Sequence, residues 1–498
     1  MSVPWWRSAV VYQIYPLSFA DSDGDGFGDL PGVIERLRHV ADLGADAVWL
    51  SPIYRSPMAD GGYDISDHTD VDPLFGSLAD ADALIARAHE LGLRVLLDFV
   101  PNHTSDVHPW FVDSRETRDA AKRDWYVWRS GEKPPNNWTT SFREEQRPAW
   151  TKDPATGDWY LHSFLPQQPD LNWDEPAAEA AMHEVLRFWL RRGVDGFRID
   201  VAHKIGKDPA LRDNEPGRRH DENWPSVHPR LARIRQVLEE FDGDRLAVGE
   251  VHLRDQRALA PYITSGDELH LVHNFFFLGL PWSAERFRIT VEEFELLTAE
   301  GGWPAWCMNN HDHSRTATRY GPARARVAAA MLLTLRGTAF LYQGEELGLT
   351  DAGIQPEAVV DVDGRDPERV PMPWETGPGS GFTRGRPWLP THPDADRFAV
   401  SVQEADPQST LELYRSLTAL RRARPALQHG TYRSLRAAPD VFAYVREHED
   451  DRLVVALNFA PFPRPIPAEA AGARVLLSTH ADPAAGELAG DEARIFAA

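Results

Sequence analysis

Two rhythms alternate along the chain. Short apolar runs, VYQIYPLSF (11–19), AVWLSPI (47–53), RVLLDFV (94–100), GFRID (196–200), LAVGE (246–250), LVHNFFF (271–277), WCMNN (306–310) and TAFLYQGEE (338–346), are separated by longer stretches with apolar residues every three or four positions. The first pattern suits strands buried on both faces and the second suits amphipathic helices, so their alternation predicts βα units around a parallel sheet. Eight runs predict an α/β fold with a closed (β/α)8 TIM barrel. The segments 30–44, 78–92, 179–193 and 323–337 read as its helices, and each ends on glycine, the usual helix stop.

Two regions break the rhythm. Residues 103–172, after the third strand, are rich in Trp, Pro, Arg and Asn and far too long for an ordinary βα loop. They predict an inserted domain on the loop face of the barrel, where such folds build active sites. From about 426 the runs VFAYVRE, RLVVALNFA and ARVLLST replace the helices, predicting a C-terminal antiparallel β-domain. The expected division is a barrel over 1–102 and 173–425, an inserted domain over 103–172, and a β-sandwich-like domain over 426–498.

Composition narrows the partners. The chain of 498 residues carries 53 basic and 76 acidic side chains, a net charge of −23 that argues against nucleic acid and favours a neutral or cationic ligand. Its one cysteine, Cys307, allows no internal disulfide. The opening MSVPWWRSAVVYQIYP lacks a signal-peptide pattern, and no apolar run approaches the roughly 18 residues of a membrane span. A cytoplasmic protein without a membrane partner is expected; composition fixes no oligomeric state. Seventeen tryptophans stand out, several in polar loops (Trp125, Trp128, Trp138, Trp150, Trp159), where they suit a sugar-stacking surface or loop packing equally.

Ionisable residues gather at strand ends. Asp98, Asn102 and His103 close the third strand, Arg198 and Asp200 the fourth, Glu250 the fifth, and His311 and Asp312 the seventh, all at the C-terminal mouth of the predicted barrel. One such aspartate reads as a turn former or helix cap. Several converging on one mouth incur like-charge repulsion and desolvation that a purely structural role does not explain. Three carboxylates with arginine and histidine donors, no cysteine nucleophile and no phosphate loop suit glycosidic bond cleavage, where one acid must be ionised and the other protonated. Arg198, on the same strand face as Asp200, is expected to hold Asp200 ionised, leaving Glu250 with a raised pKa and the proton.

The segments DFVPNH, GFRIDVAH, GEVH and NNHD resemble, in order, the four signature regions of glycoside hydrolase family 13, the α-amylase family. QPDLNW (168–173) resembles the further signature of its α-glucosidase and oligo-1,6-glucosidase branch. The resemblance covers nearly the whole chain. It implies Asp200 as nucleophile, Glu250 as general acid/base and Asp312 as the third carboxylate, with His103, Arg198 and His311 binding the cleaved glucose. It also implies double displacement with retention, for which the two working carboxyls should stand about 5–5.5 Å apart. Tyr63 matches a sugar-stacking tyrosine, Asp64 a terminal-glucose aspartate and Arg365 the arginine that pairs with it, and Phe164 joins the substrate-binding set. That pairing implies a pocket one sugar deep and release of single glucose units from non-reducing ends.

Linkage markers point both ways. Val201, after the nucleophile, resembles α-1,6-preferring members, whereas residues 134–173 and GKDPALRDNEPGRRHDENWP resemble bacterial α-glucosidases acting on maltose-like substrates; the balance favours α-1,4. A glucosyltransferase or isomerase would share the same acids. A transporter-associated scaffold of this family would lose the carboxylates and carry a membrane anchor, and neither is seen in this sequence.

One motif lies apart from the acids. In DSDGDGFGDL, Asp21, Asp23, Asp25 and Asp29 take positions 1, 3, 5 and 9 of an EF-hand-like loop, with the Phe27 carbonyl at position 7, but position 12 is Gly32 where the motif needs glutamate. An Asp-rich turn capping the helix at 30–44 fits the spacing equally. The family resemblance implies a structural Ca²⁺, with Mg²⁺ the alternative, and no organic cofactor.

Overall fold

The computed structural model describes residues 3–142, 147–253, 255–484 and 486–498. Eight parallel strands form the barrel: β1 (Val10–Ile14), β2 (Ala47–Leu50), β3 (Arg94–Phe99), β4 (Gly196–Ile199), β5 (Leu246–Gly249), β6 (Leu271–Val272), β7 (Ala305–Cys307) and β8 (Thr338–Tyr342). Their order is β6-β5-β4-β3-β2-β1-β8-β7, so the ring is sealed between β1 and β8 and has its one unpaired seam between β6 and β7. β6 is also shorter than expected. In LVHNFFF the Asn274 side chain accepts a hydrogen bond from Phe277 N and caps a helical turn at Phe275–Leu278, so the aromatic half of the run leaves the sheet.

Strand alternation stacks the barrel interior in layers. Val11, Ala47, Leu96, Leu246, Ala305 and Phe340 fill the lower part, together with buried Cys307. One residue pair further along, the inward positions turn polar: Gln13, Asp98, Arg198. The parallel register sets Asp98 beside Arg198, so one charge is buried with its partner already in place.

The surrounding helices follow the predicted pattern. In Leu30–Leu43, Leu30, Val33, Leu37, Val40 and Leu43 form one buried stripe, Asp29 caps the start through Gly32 N, and Gly44 closes the end at φ 91°. No helix among the described residues is long and apolar enough to cross a membrane.

Between β3 and β4 lies a small three-stranded sheet, Trp128–Arg129, Trp159–Leu161 and Trp150–Lys152. Its Trp138 and Trp150 pack with Ala149 and Leu161 in a local core. The tryptophans of this region therefore act as packing, and none of the five lines the main pocket. QPDLNW staples the insertion to the barrel: the Asp170 carboxylate meets buried Lys207 Nζ at 3.0 Å, and Trp173 Nε1 donates to Pro101 O at 2.7 Å. C-terminally, Thr431–Ser434, Val441–His448, Asp451–Asn458, Ala493–Ala497 and Arg474–Ser478 form one antiparallel sheet in that order.

Candidate active site

The mouth of the barrel opens into a cavity of about 290 Å³, at the small end of the about 300–1,000 Å³ usual for small-molecule sites. Tyr63, His103, Phe164, Asp200, Glu250, His311, Asp312 and Arg365 all line it, as expected.

Arg198, just below, organises the acids. Its Nη1 donates to Asp98 Oδ1 at 2.7 Å and to Asp200 Oδ1 at 2.6 Å, while Nη2 lies 2.6 Å from Glu250 Oε2. One guanidinium thus touches both Asp200 and Glu250.

The surroundings of the two acids bias them against the expected split. Burial, with the charges of Glu250 and Asp98, raises Asp200 well above the carboxylate range despite Arg198. Burial acts upward on Glu250 too, but Arg198 and the His252 imidazole at 2.7 Å outweigh it and hold Glu250 well below its usual value. Arg198 reaches Glu250 as well as Asp200, and His252 adds a second donor to Glu250 alone. Val201 N donates to Glu250 Oε2 at 3.1 Å as well, from a left-handed backbone at φ 33° that is strained for a β-branched residue.

On the opposite wall His311 stacks flat against Tyr63, ring centres 5.5 Å apart. Gln13 Nε2 donates to His311 Nδ1 at 2.8 Å, which puts the imidazole proton on Nε2, facing the Tyr63 hydroxyl at 2.9 Å. Burial lowers His311 to about 3, so it is a neutral donor. Burial also keeps His103 neutral, and its ring packs against Phe164. Asp312 is held far below the carboxylate range: burial opposes ionisation, but His311, Arg365 and Arg369 outweigh it. Arg365 Nη1 lies 3.2 Å and Arg369 Nη2 2.9 Å from Asp312 Oδ1.

The pairing of Arg365 with Asp64 is not formed. Asp64 is fully buried in its own loop, where its carboxylate accepts from Ser56 Oγ, Ala59 N and Asp60 N. Arg365 Nη2 instead meets Asp60 Oδ1 at 2.5 Å, and Gln168 Nε2 donates to Asp60 Oδ2 at 2.9 Å. Gly61 and Gly62 take positive φ (56° and 101°), reversing the chain between the two aspartates so that Asp60 lines the pocket and Asp64 braces the turn. Arg365 is further fixed by Asp361. Sequence reasoning missed Asp60, Asp361, Arg369, Phe142 and His252; the glycine pair inside DGGYD was the one local signal for the first.

At the other loop, Asp21, Asp23 and Asp29 bring carboxylate oxygens within 4.8 Å of one another. Asp25 points elsewhere and accepts from Phe27 N at 2.8 Å. Asp21 also accepts from Gly24 N and Gly26 N, and Asp29 caps the following helix, so the turn-and-cap reading is realised in the hydrogen bonds. Burial and the neighbouring aspartates raise Asp25 above its usual value, a repulsion that a cation would relieve.

A parallel barrel with a sheet-bearing insertion after β3 and three carboxylates at its mouth defines the class as a carbohydrate-cleaving barrel enzyme. The family model described as the α-amylase catalytic domain matches residues 13–430, and a second, described as a domain of unknown function, matches 432–495. The chain belongs to the α-amylase family and is a glycoside hydrolase. It is 43% identical to a "Probable alpha-glucosidase" of Rhizobium meliloti (strain 1021), over 92% of this chain and 89% of that one. It is 37% identical to an "Oligo-1,6-glucosidase" of Parageobacillus thermoglucosidasius, over 92% and 90%. Among solved structures, an alpha-glucosyl transfer enzyme, XgtA, superposes with a TM-score of 0.92 at 40% identity, and the trehalulose synthase MutB of Pseudomonas mesoacidophila MX-45 with 0.94 at 34%, each covering 100% of both chains.

Proposed function

We propose that this enzyme is a retaining, exo-acting α-glucosidase that releases glucose from the non-reducing ends of α-1,4-linked oligosaccharides such as maltose, in the cytoplasm. The observation that carries the exo reading is the Asp60–Arg365–Asp312 cluster, which walls the pocket behind Tyr63 and His311. A glucose ring over Tyr63 would end its hydroxyls on that cluster.

In this reading the two acids share one proton. The anomeric carbon faces Asp200, which reacts as the carboxylate, while Glu250 carries the shared proton to the glycosidic oxygen. The C–O bond to the leaving sugar breaks as Asp200 bonds to the anomeric carbon. Glu250, now ionised, takes a proton from water, whose oxygen attacks the same carbon and frees Asp200, so the configuration is inverted twice and retained. Asp312, kept ionised by two arginines, holds sugar hydroxyls as the ring flattens. Replacing water by a second sugar gives transfer at the same acids.

A second reading, α-1,6 specificity, is favoured by Val201, which presses on the pocket directly after the nucleophile. Products from maltose, isomaltose and sucrose, followed by chromatography with anomeric NMR, separate the options. Free α-glucose mainly from maltose is expected. Mainly isomaltose cleavage would replace the linkage assignment, rearranged disaccharide from sucrose would replace hydrolysis, and internal cuts in amylose ahead of free glucose would overturn exo action.

We assign the Asp21–Asp29 loop to a structural Ca²⁺, with Mg²⁺ as the alternative. Asp21, Asp23 and Asp29 would supply carboxylate oxygens, and hard-cation chemistry suits that donor set. It takes no part in the bond-breaking steps.

A further inference from the structure

His252 is half-exposed at the pocket wall and its Nε2 lies 2.7 Å from Glu250 Oε1. Its ring is held: Phe275 stacks on it with centres 4.1 Å apart and planes 11° from parallel, and His313 lies near-parallel beside the pair, 5.6 Å from Phe275 and 6.4 Å from His252. His313 is in turn fixed by Asn310 Oδ1 at 2.8 Å. Three rings therefore hold one nitrogen on one oxygen of the acid/base. The other oxygen, Oε2, receives Arg198 Nη2 and Val201 N. Both oxygens of Glu250 are thus met by donors, a cage for the carboxylate form.

We propose that His252 is a positioning residue that holds Glu250 as the carboxylate whenever no glycosidic oxygen is present, and so readies it as the base that activates water on the glucosyl-enzyme. The inference rests on Glu250 being the acid/base. The chemistry demands both forms of that group in turn: protonated to release the first sugar, ionised to accept the proton of water. Arg198 cannot supply the switch, because it is shared with Asp98 and Asp200 and stays charged throughout. His252 touches Glu250 alone. When the leaving sugar departs with its proton, the Nε2–H donor is already aligned on the new carboxylate, with no side chain needing to move.

Among the described residues, Glu250 is bonded to His252, His203 stands 6.3 Å away with Lys204 beside it in the pocket, and the His313 ring is 6.4 Å away. Glu250 is the one carboxylate that hydrogen-bonds it among the described residues. A donor lost here should raise the proton affinity of Glu250 by about one pH unit, the scale of one charge-assisted bond.

The test compares His252→Phe, which keeps the stack and removes the donor, with His252→Gln, which keeps an N–H donor that does not titrate. Infrared difference titration of the free enzyme follows the Glu250 carboxyl band, identified as the band absent in Glu250→Gln. That band should titrate about one unit higher in His252→Phe and near the parental position in His252→Gln. With p-nitrophenyl α-glucoside, whose leaving group needs little acid help, His252→Phe should show a burst of nitrophenol and then slow turnover, and His252→Gln should recover the steady rate. An unshifted carboxyl band in His252→Phe overturns the proposal, as does an equal rise of KM in both variants with kcat unchanged, which would make His252 a sugar contact only. The infrared measurement needs no substrate, so a parent enzyme inert on every α-glucoside would refute the function while this test still reads.

Discussion

The reversal of roles between Asp60 and Asp64 has a sharp experimental consequence. Asp60 offers its carboxylate to the pocket, held by Arg365 Nη2 at 2.5 Å and Gln168 Nε2 at 2.9 Å. Replacing it in Asp60→Ala removes charge-assisted bonds to sugar hydroxyls at about 1.5–3 kcal/mol each, so two such bonds predict a fall of about 100- to 10,000-fold in kcat/KM for maltose. Stability should fall by less than the about 3–5 kcal/mol of a fully orphaned buried partner, since Arg365 keeps Asp361 and Asp312. Asp64→Ala strips acceptors from Ala59 N, Asp60 N and Ser56 Oγ at a fully buried site, with each orphaned donor costing about 1–3 kcal/mol, so a loss of about 3 kcal/mol or more in stability is expected. Its activity should fall only as the loop loosens. Calorimetric melting and coupled glucose detection on the two variants read both quantities. Normal melting of Asp64→Ala with abolished turnover, beside an Asp60→Ala enzyme within about threefold of the parent, would refute the assignment.

Other consequences can be checked separately. Burial pushes Glu345 up to about 7 from 4.5, so the folded protein retains a proton that the unfolded chain loses; the associated stability is complete below about pH 4.5, fades as pH rises through 7 and totals about 3 kcal/mol. In Glu345→Gln the melting temperature should lose that part of its fall between pH 5 and 8. Lys207→Met leaves the Asp170 carboxylate buried without its ammonium partner, which predicts a loss of about 3–5 kcal/mol and first proteolytic cuts within 103–172, read by calorimetry and limited digestion. Chelation should lower the melting temperature more than it lowers turnover at 25 °C, and unchanged melting would leave the Asp21–Asp29 loop as a turn and helix cap only.

What could be read from the sequence divides along the range of the forces involved. Strand-end acids such as Asp200, Glu250 and Asp312 were legible because a parallel barrel sends every strand end to one mouth, so the position within a short run fixes where a side chain goes. Helix Leu30–Leu43 was legible because its apolar spacing, cap and stop are all local. LVHNFFF was misread in its second half because an apolar run that short suits strand or helix alike, and one Asn side chain turned it. Asp60 and Asp64 could not be told apart by residue type, since the direction of each side chain depends on the φ of two glycines between them. The proton on the acid pair lay furthest from the sequence. It depends on which oxygens Arg198 and His252 reach, at 2.6 and 2.7 Å, and residue type alone does not set that. Signatures therefore locate the acids, while the surroundings that would divide the labour between them are a property of the cage that Arg198 and His252 build around Glu250.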